Sequence, residues 1–263
     1  MEVYYYLPLS DVDTAIECGI SLSKNYSKEV FVEGRVKRCI STLLNPKDDL
    51  VSYNSEELKC LKIDMPLKYC YIADRRLYDV GLKNQTVMEK YNQSIIPAEK
   101  YIFGTYRMPE CLVMTTILGE QISLLNKNID APVLVDDSEK LYVSNLIEEF
   151  KNKNDYFYDE LLYYYMDKHA KDGKLQKFVS QAGNYAVFYD EAENRSYTLR
   201  VPTVWKGDVL KDIVLKRLKQ ANGEYVSGEE LGNILNVSRT SVWKYIKDLK
   251  EDGYNIESSS RKG

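Results

Sequence analysis

The sequence predicts an α+β domain with a mostly antiparallel sheet, followed by a small helical module that ends in a strand and turn. Three observations lead there. Short apolar runs separated by turn residues recur through residues 1–201, with helices interspersed and no strict strand–helix–strand alternation. A stretch containing Pro202 then closes this region. Beyond it the apolar spacing becomes helical and the charge changes sign. Residues 206–263 hold eleven Lys+Arg against nine Asp+Glu, whereas the preceding residues hold 25 against 31.

A length of 263 residues accommodates two domains. They are read as residues 1–201 and 208–263, joined by a linker at 202–207. A hydrophobic content of 44% is ordinary for a folded chain. The five cysteines are odd in number, form no CxxC pair and follow no secretion signal. They are read as reduced, mostly buried thiols of a cytoplasmic protein, without structural zinc. A single histidine, His169, excludes a histidine-based metal cluster and argues against a Ser-His-Asp triad; its polar neighbours place it on the surface. No apolar run reaches membrane-spanning length, and the opening residues lack a leader pattern. The net charge of -4 argues against nucleic acid for the chain as a whole, but its distribution makes the tail the part suited to DNA. No P-loop or GxGxxG occurs.

In chain order, residues 3–7 read as a strand, and Ser10 or Asp11 caps a short helix that Gly19 ends. Alternation around Glu33-Gly34 predicts a hairpin over residues 29–36. A compact strand at 39–44 stops at the turn residues Asn45-Pro46-Lys47. Strands follow at 61–65 and 69–72, then a helical stretch over 77–92 broken at Gly81. Glu110 stands at the mouth of a buried strand that runs to Val113. A strand at 132–135 precedes amphipathic helices at 141–151 and 155–171, the second with Tyr156, Phe157, Tyr163 and Tyr164 on its face. A hairpin over 185–189 and 196–201 completes the domain.

Four of these motifs fall in an order that resembles the DNA-targeting ADP-ribosyltransferase toxins. They are the opening strand–helix–glycine unit from Tyr4, the Asn45-Pro46-Lys47 turn, Asp74 with its following helix, and Pro109-Glu110-Cys111-Leu112-Val113. The resemblance covers residues 1–115 and implies a split sheet around an NAD cleft. It makes Glu110 the catalytic carboxylate and sets Tyr4, Lys47, Asp74 and Arg107 about the cofactor; Lys47 stands where the family has arginine. A carboxylate there would steady an oxocarbenium-like state as the nicotinamide–ribose bond breaks, and a cation would hold the pyrophosphate. Plainer roles are a solvated strand start for Glu110, a polar turn for Lys47, and a surface ion-pair cluster for Asp74-Arg75-Arg76.

In the tail, Leu210, Val214, Leu215 and Leu218 recur at helical spacing, so residues 208–221 form a first helix. Ser227 and Glu230 form a capping box for a second helix over 228–235. Ser238 caps a third, with Val242, Ile246 and Leu249 on its buried stripe and Gly253 closing it. Its opposite face carries Arg239, Thr240, Lys244 and Lys247, donors suited to base edges and phosphates in the major groove. Trp243 flanks the stripe and is expected to pack on a wing. Residues 254–256 begin a strand, and Arg261 and Lys262 lie in a polar turn that reaches the phosphate backbone.

This pattern resembles the N-terminal winged helix-turn-helix of the biotin-operon repressor family. It is carried by Ser227-Gly228-Glu229, Leu231-Gly232, Leu235, Ser238-Arg239, Lys244, Ile246, Leu249, Gly253 and Arg261-Lys262-Gly263. The family's protein-biotinylating domain is not part of the resemblance, so ligase activity is not expected. The reading is a DNA-binding transcriptional regulator, expected to act as a homodimer on double-stranded DNA. Its first domain senses a small molecule, NAD or an ADP-ribose-like nucleotide. One alternative is an active ADP-ribosyltransferase delivered to DNA by its tail. Another is a first domain that serves only as a dimerisation or partner module. A winged helix used only for protein contact is the competing role for the tail.

Overall fold

The structure, a computed structural model, describes residues 1–130, 136–151, 159–202, 206–235 and 237–258; for residues 151, 159, 160 and 206–209 it describes the backbone alone. The chain divides into two compact units, Met1–Leu146 and Ile147–Gly263. The stretch 202–207 thus falls inside the second unit. Among the described residues no helix is long and apolar enough to cross a membrane, and no group of His, Cys, Asp and Glu could hold a metal ion. All five cysteines are free, and only Cys18 is exposed.

The first unit is built on one sheet. Its strands are β1 (Glu2–Pro8), β2 (Lys28–Val32), β3 (Arg35–Leu43), β4 (Leu58–Asp64), β5 (Cys70–Asp74), β6 (Ile96–Pro97), β7 (Pro109–Val113) and β8 (Ile122–Leu124). They run in the order β6-β5-β7-β3-β1-β4-β8, with β2 paired to β3 off this path. Each pairing is antiparallel, as the sequence predicts. The β2–β3 hairpin turns at Glu33 (φ 53°) and Gly34 (φ 79°), the positive angles that a two-residue turn needs to match strand twist.

Alternation along the strands gives the sheet two different faces. One is apolar: Val3, Ile40, Leu61, Ile63, Ile72, Cys111 and Val113 pack with Val12 and Ala15 of helix α1 (Val12–Cys18). Neither Ser10 nor Asp11 caps α1 through its side chain; the Ser10 hydroxyl donates to Asp11 instead, at 2.9 Å. The other face mixes apolar and polar groups, with Tyr4, Leu43, Cys60 and Met108 forming a smaller cluster beside Glu110. Short helices α2 (Leu22–Asn25) and α3 (Leu50–Asn54) connect strands. The predicted break at Gly81 separates α4 (Arg75–Gly81) from α5 (Gln85–Ser94).

Helix α6 (Ser138–Lys151) contains the division between the units. Asp48 holds its N-terminus, accepting from the Ser138 backbone N–H at 2.7 Å and from its hydroxyl at 2.8 Å. The strand predicted at 132–135 lies outside the described residues, as do Tyr156 and Phe157. In the second unit, α7 (Asp159–Lys171) is followed by β9 (Gln176–Val179), β10 (Tyr185–Asp190) and β11 (Arg195–Arg200). These strands form an antiparallel sheet in the order β11-β10-β9. Tyr163 meets Phe188 edge to face at 5.6 Å, and Phe150 meets Tyr197 at 6.1 Å. His169 is half-buried, edge-on to Tyr165 at 4.3 Å, not on the open surface, and burial holds its pKa below the usual value.

Candidate nucleic-acid interface

Three helices close the chain: α8 (Lys206–Gln220), α9 (Gly228–Leu235) and α10 (Arg239–Glu251). Each turns an apolar stripe inward. Leu210, Ile213 and Val214 of α8, Leu231 and Leu235 of α9, and Val242 and Leu249 of α10 are buried. Two ion pairs tie the helices at the rim, Arg217 to Glu230 at 3.0 Å and Lys211 to Asp252 at 2.9 Å. Both are partly exposed and add little to stability.

The turn between α9 and α10 depends on Gly232. The Val237 N–H donates to the Gly232 carbonyl at 2.9 Å. A Cβ at position 232 would lie 3.0 Å from the Val237 carbonyl oxygen, so a larger residue would wedge the turn open. Ser238 then caps α10: its hydroxyl oxygen accepts from the Ser241 N–H at 3.1 Å. At the far end, Gly253 (φ 95°) donates to Lys250 O and Tyr254 donates to Leu249 O, both at 3.1 Å. That pair of bonds is the glycine-terminated stop expected from the sequence. The capping box is not reciprocal. Ser227 accepts from Glu229 N at 3.2 Å, while Glu230 turns to Arg217.

Ser238, Arg239, Thr240, Lys244 and Lys247 are all exposed. Helical spacing places Thr240, Lys244 and Lys247 on the side of α10 away from Val242 and Leu249, while Arg239, three residues before Val242, borders the buried stripe. Arg239 to Lys247 spans about 12 Å at 1.5 Å per residue, close to the width of the DNA major groove. Residues 254–258 carry no strand, so the wing strand expected from Tyr254 is not formed in the described residues. Arg261 and Lys262 lie outside them. Trp243 is 63% exposed and lines a cavity with Ile256, Glu257 and Ser258; most of the wing on which it is expected to pack lies outside the described residues.

The nucleotide-site residues expected in the first unit are placed very differently. Glu110 has no exposed surface. Lys28 Nζ reaches both of its oxygens, at 2.9 and 3.1 Å. The Tyr91 hydroxyl donates to it at 2.9 Å, and the Ser41 hydroxyl donates to its other oxygen. The Lys28 ammonium also lies 3.7 Å from the centre of the Tyr78 ring. A ligand would have to displace one of these groups to touch the carboxylate. Glu110 is therefore neither a solvated strand start nor an open catalytic group in this structure.

Strand register puts Glu110, Leu43 and Tyr4 in one row on one face, so Tyr4 is two strands from Glu110, roughly 10 Å. The Tyr4 hydroxyl turns to Glu2, and burial raises its pKa. Asp74 caps α4, accepting from the Arg76 N–H at 3.0 Å, and burial pushes its carboxyl up to about 7. It is a buried cap and not part of a surface cluster. Arg107, fully buried, pairs with Glu139. The half-buried Lys47 donates its backbone N–H to the Asn45 side chain at 2.9 Å. Arg107 acts electrostatically on Asp74, and its partner Glu139 follows Ser138, which Asp48 beside Lys47 holds, whereas Glu110 and Tyr4 bond to other groups.

Lys28 was missed by motif reasoning, although a signal existed. In β2, Lys28, Val30 and Val32 alternate with Glu29 and Phe31, so the period sets this lysine on the inward side.

Residues 211–263 match the family model described as "HTH domain". Over 54 residues the chain is 39% identical to "Bifunctional ligase/repressor BirA" of Bacillus spizizenii and, equally, of Bacillus subtilis. The matched stretch is 20% of this chain and 17% of each relative, so the chain spans about one sixth of the length of these proteins. No solved structure matches the chain.

Proposed function

We propose that this protein is a DNA-binding transcriptional regulator whose C-terminal helices read double-stranded DNA. The observation that carries this is the exposed donor arc of α10, set in a stretch that matches an HTH domain and part of a bifunctional ligase/repressor. In this reading α10 enters the major groove. Arg239 and Thr240, near its capped N-terminus, address base edges, and Ser238, Lys244 and Lys247 address phosphates. Arg261 and Lys262 contact the adjacent backbone. Two copies bind as a homodimer to two half-sites. A gel-shift titration with the DNA upstream of the protein's own gene, against a scrambled duplex, tests this reading. Sequence-preferring binding that weakens with salt is expected; equal or absent binding to the two duplexes overturns it.

Regulation by a small molecule is a further part of the proposal. It is supported by a cavity of about 500 Å³ in the first unit, lined by Tyr6, Tyr53, Leu58, Cys60, Leu125 and Lys127 among others. That volume suits a small metabolite. NAD and ADP-ribose are the first compounds to screen. An upward shift of the melting temperature with ligand concentration supports a sensor. A flat response to both removes the nucleotide from the proposal.

A further inference from the structure

Trp243 lies within the arc of α10 that carries the exposed donors. Arg239 and Thr240 precede it by four and three residues, and Lys247 follows by four, so all three are its neighbours on the helix surface. The core contact of α10 is made by Val242 and Leu249, both 1% exposed, whereas 63% of the indole faces water. The indole is thus flanked by cations along the helix and lines a cavity with Val242, Ile246 and Ile256, with most of its surface left open. A DNA major groove offers one apolar feature, the C5-methyl group of thymine. Cations at i−4 and i+4 would hold the phosphates on either side while the indole meets that methyl.

We infer that Trp243 is a specificity-determining residue that selects thymine by apolar contact with its C5-methyl group. The inference rests on the DNA-reading role of α10.

The test uses the full chain and a duplex that the wild-type protein selects from a random-sequence pool. Each thymine of the selected site is replaced in turn by uracil, which removes the methyl and keeps the base pair. At one thymine per half-site, the wild type should lose roughly fourfold in affinity, the worth of one buried methyl-sized group. Trp243→Ala should bind the thymine and uracil duplexes equally at that position while remaining sensitive to salt. Trp243→Phe, which keeps an aromatic plate, should retain the preference, and serves if the alanine variant fails to fold. The inference is overturned if either variant that folds contradicts these patterns, or if no thymine methyl matters to the wild type. Failure to select any duplex is a separate outcome: it sinks the DNA reading beneath the inference as well.

Discussion

Lys28 and Glu110 are 82 residues apart in sequence and form a closed ion pair inside the first unit, Nζ 2.9 Å from the nearer carboxylate oxygen. The pair is shielded from water, with 9% of the lysine side chain and none of the glutamate exposed. Its worth lies in mutual compensation, since each charge alone would be stranded.

Lys28→Met should therefore destabilise the chain by about 3–5 kcal/mol in urea unfolding. Glu110→Gln keeps an acceptor oxygen for only one of the Ser41 and Tyr91 hydroxyls and strands the ammonium, and should also destabilise. The double variant should recover part of the sum, giving a coupling of at least about 1 kcal/mol. Strictly additive losses would mean that the two charges do not compensate each other.

The turn at Gly232 gives a second prediction. Gly232→Val puts a branched side chain where even a Cβ meets the Val237 carbonyl oxygen at 3.0 Å. Overpacking of this kind costs about 1–3 kcal/mol. The loss should appear as reduced thermal stability of the second unit together with weakened DNA binding. Unchanged stability would place the α9–α10 turn differently from the present geometry.

Asp74, which is buried, and Asp48, which is half-buried, both contribute to the pH dependence of stability. Burial pushes Asp74 up to about 7 and Asp48 up to about 6, against the lowering effect of the N–H groups that bond them. Unfolded, both would ionise near pH 4. Between about pH 4 and pH 7 the folded state thus binds protons that the unfolded state has released. Stability from these groups is fullest at the acid end of that window and falls as pH rises through it. Asp74→Asn preserves the cap on α4 and removes one titration. Its stability relative to wild type should rise with pH across this window, by up to about 1.4 kcal/mol per pH unit. A difference that does not change with pH would contradict the buried, protonated carboxyl.

Much of this was legible in the sequence wherever the signal is local. Glu33-Gly34 specifies its hairpin through turn chemistry, Ser238 and Gly253 bracket α10, and the 3.6-residue period of Val242 and Leu249 fixes which side of that helix is open. The partners of Glu110 were not legible, because Lys28, Ser41 and Tyr91 come from three distant elements that only the sheet register brings together. The same limit applies to Asp74, whose polar neighbours in sequence suggest a surface cluster while the helix it caps buries it. The short motifs around Glu110, Tyr4 and Lys47 carry order along the chain but no information on convergence. Which groups meet there depends on the sheet register, which sets Glu110 in a row with Leu43 and Tyr4.

The proposed contact of α10 with DNA through its exposed cations is checked by the salt dependence of binding to one fixed duplex, measured by fluorescence anisotropy for the wild type and for Lys244→Ala/Lys247→Ala. Each phosphate contact contributes roughly 0.9 to the slope of log affinity against log salt concentration. The slope should fall by roughly 2 in the double variant, with weaker binding to every sequence. An unchanged slope and affinity would contradict it, and would move the interface away from α10.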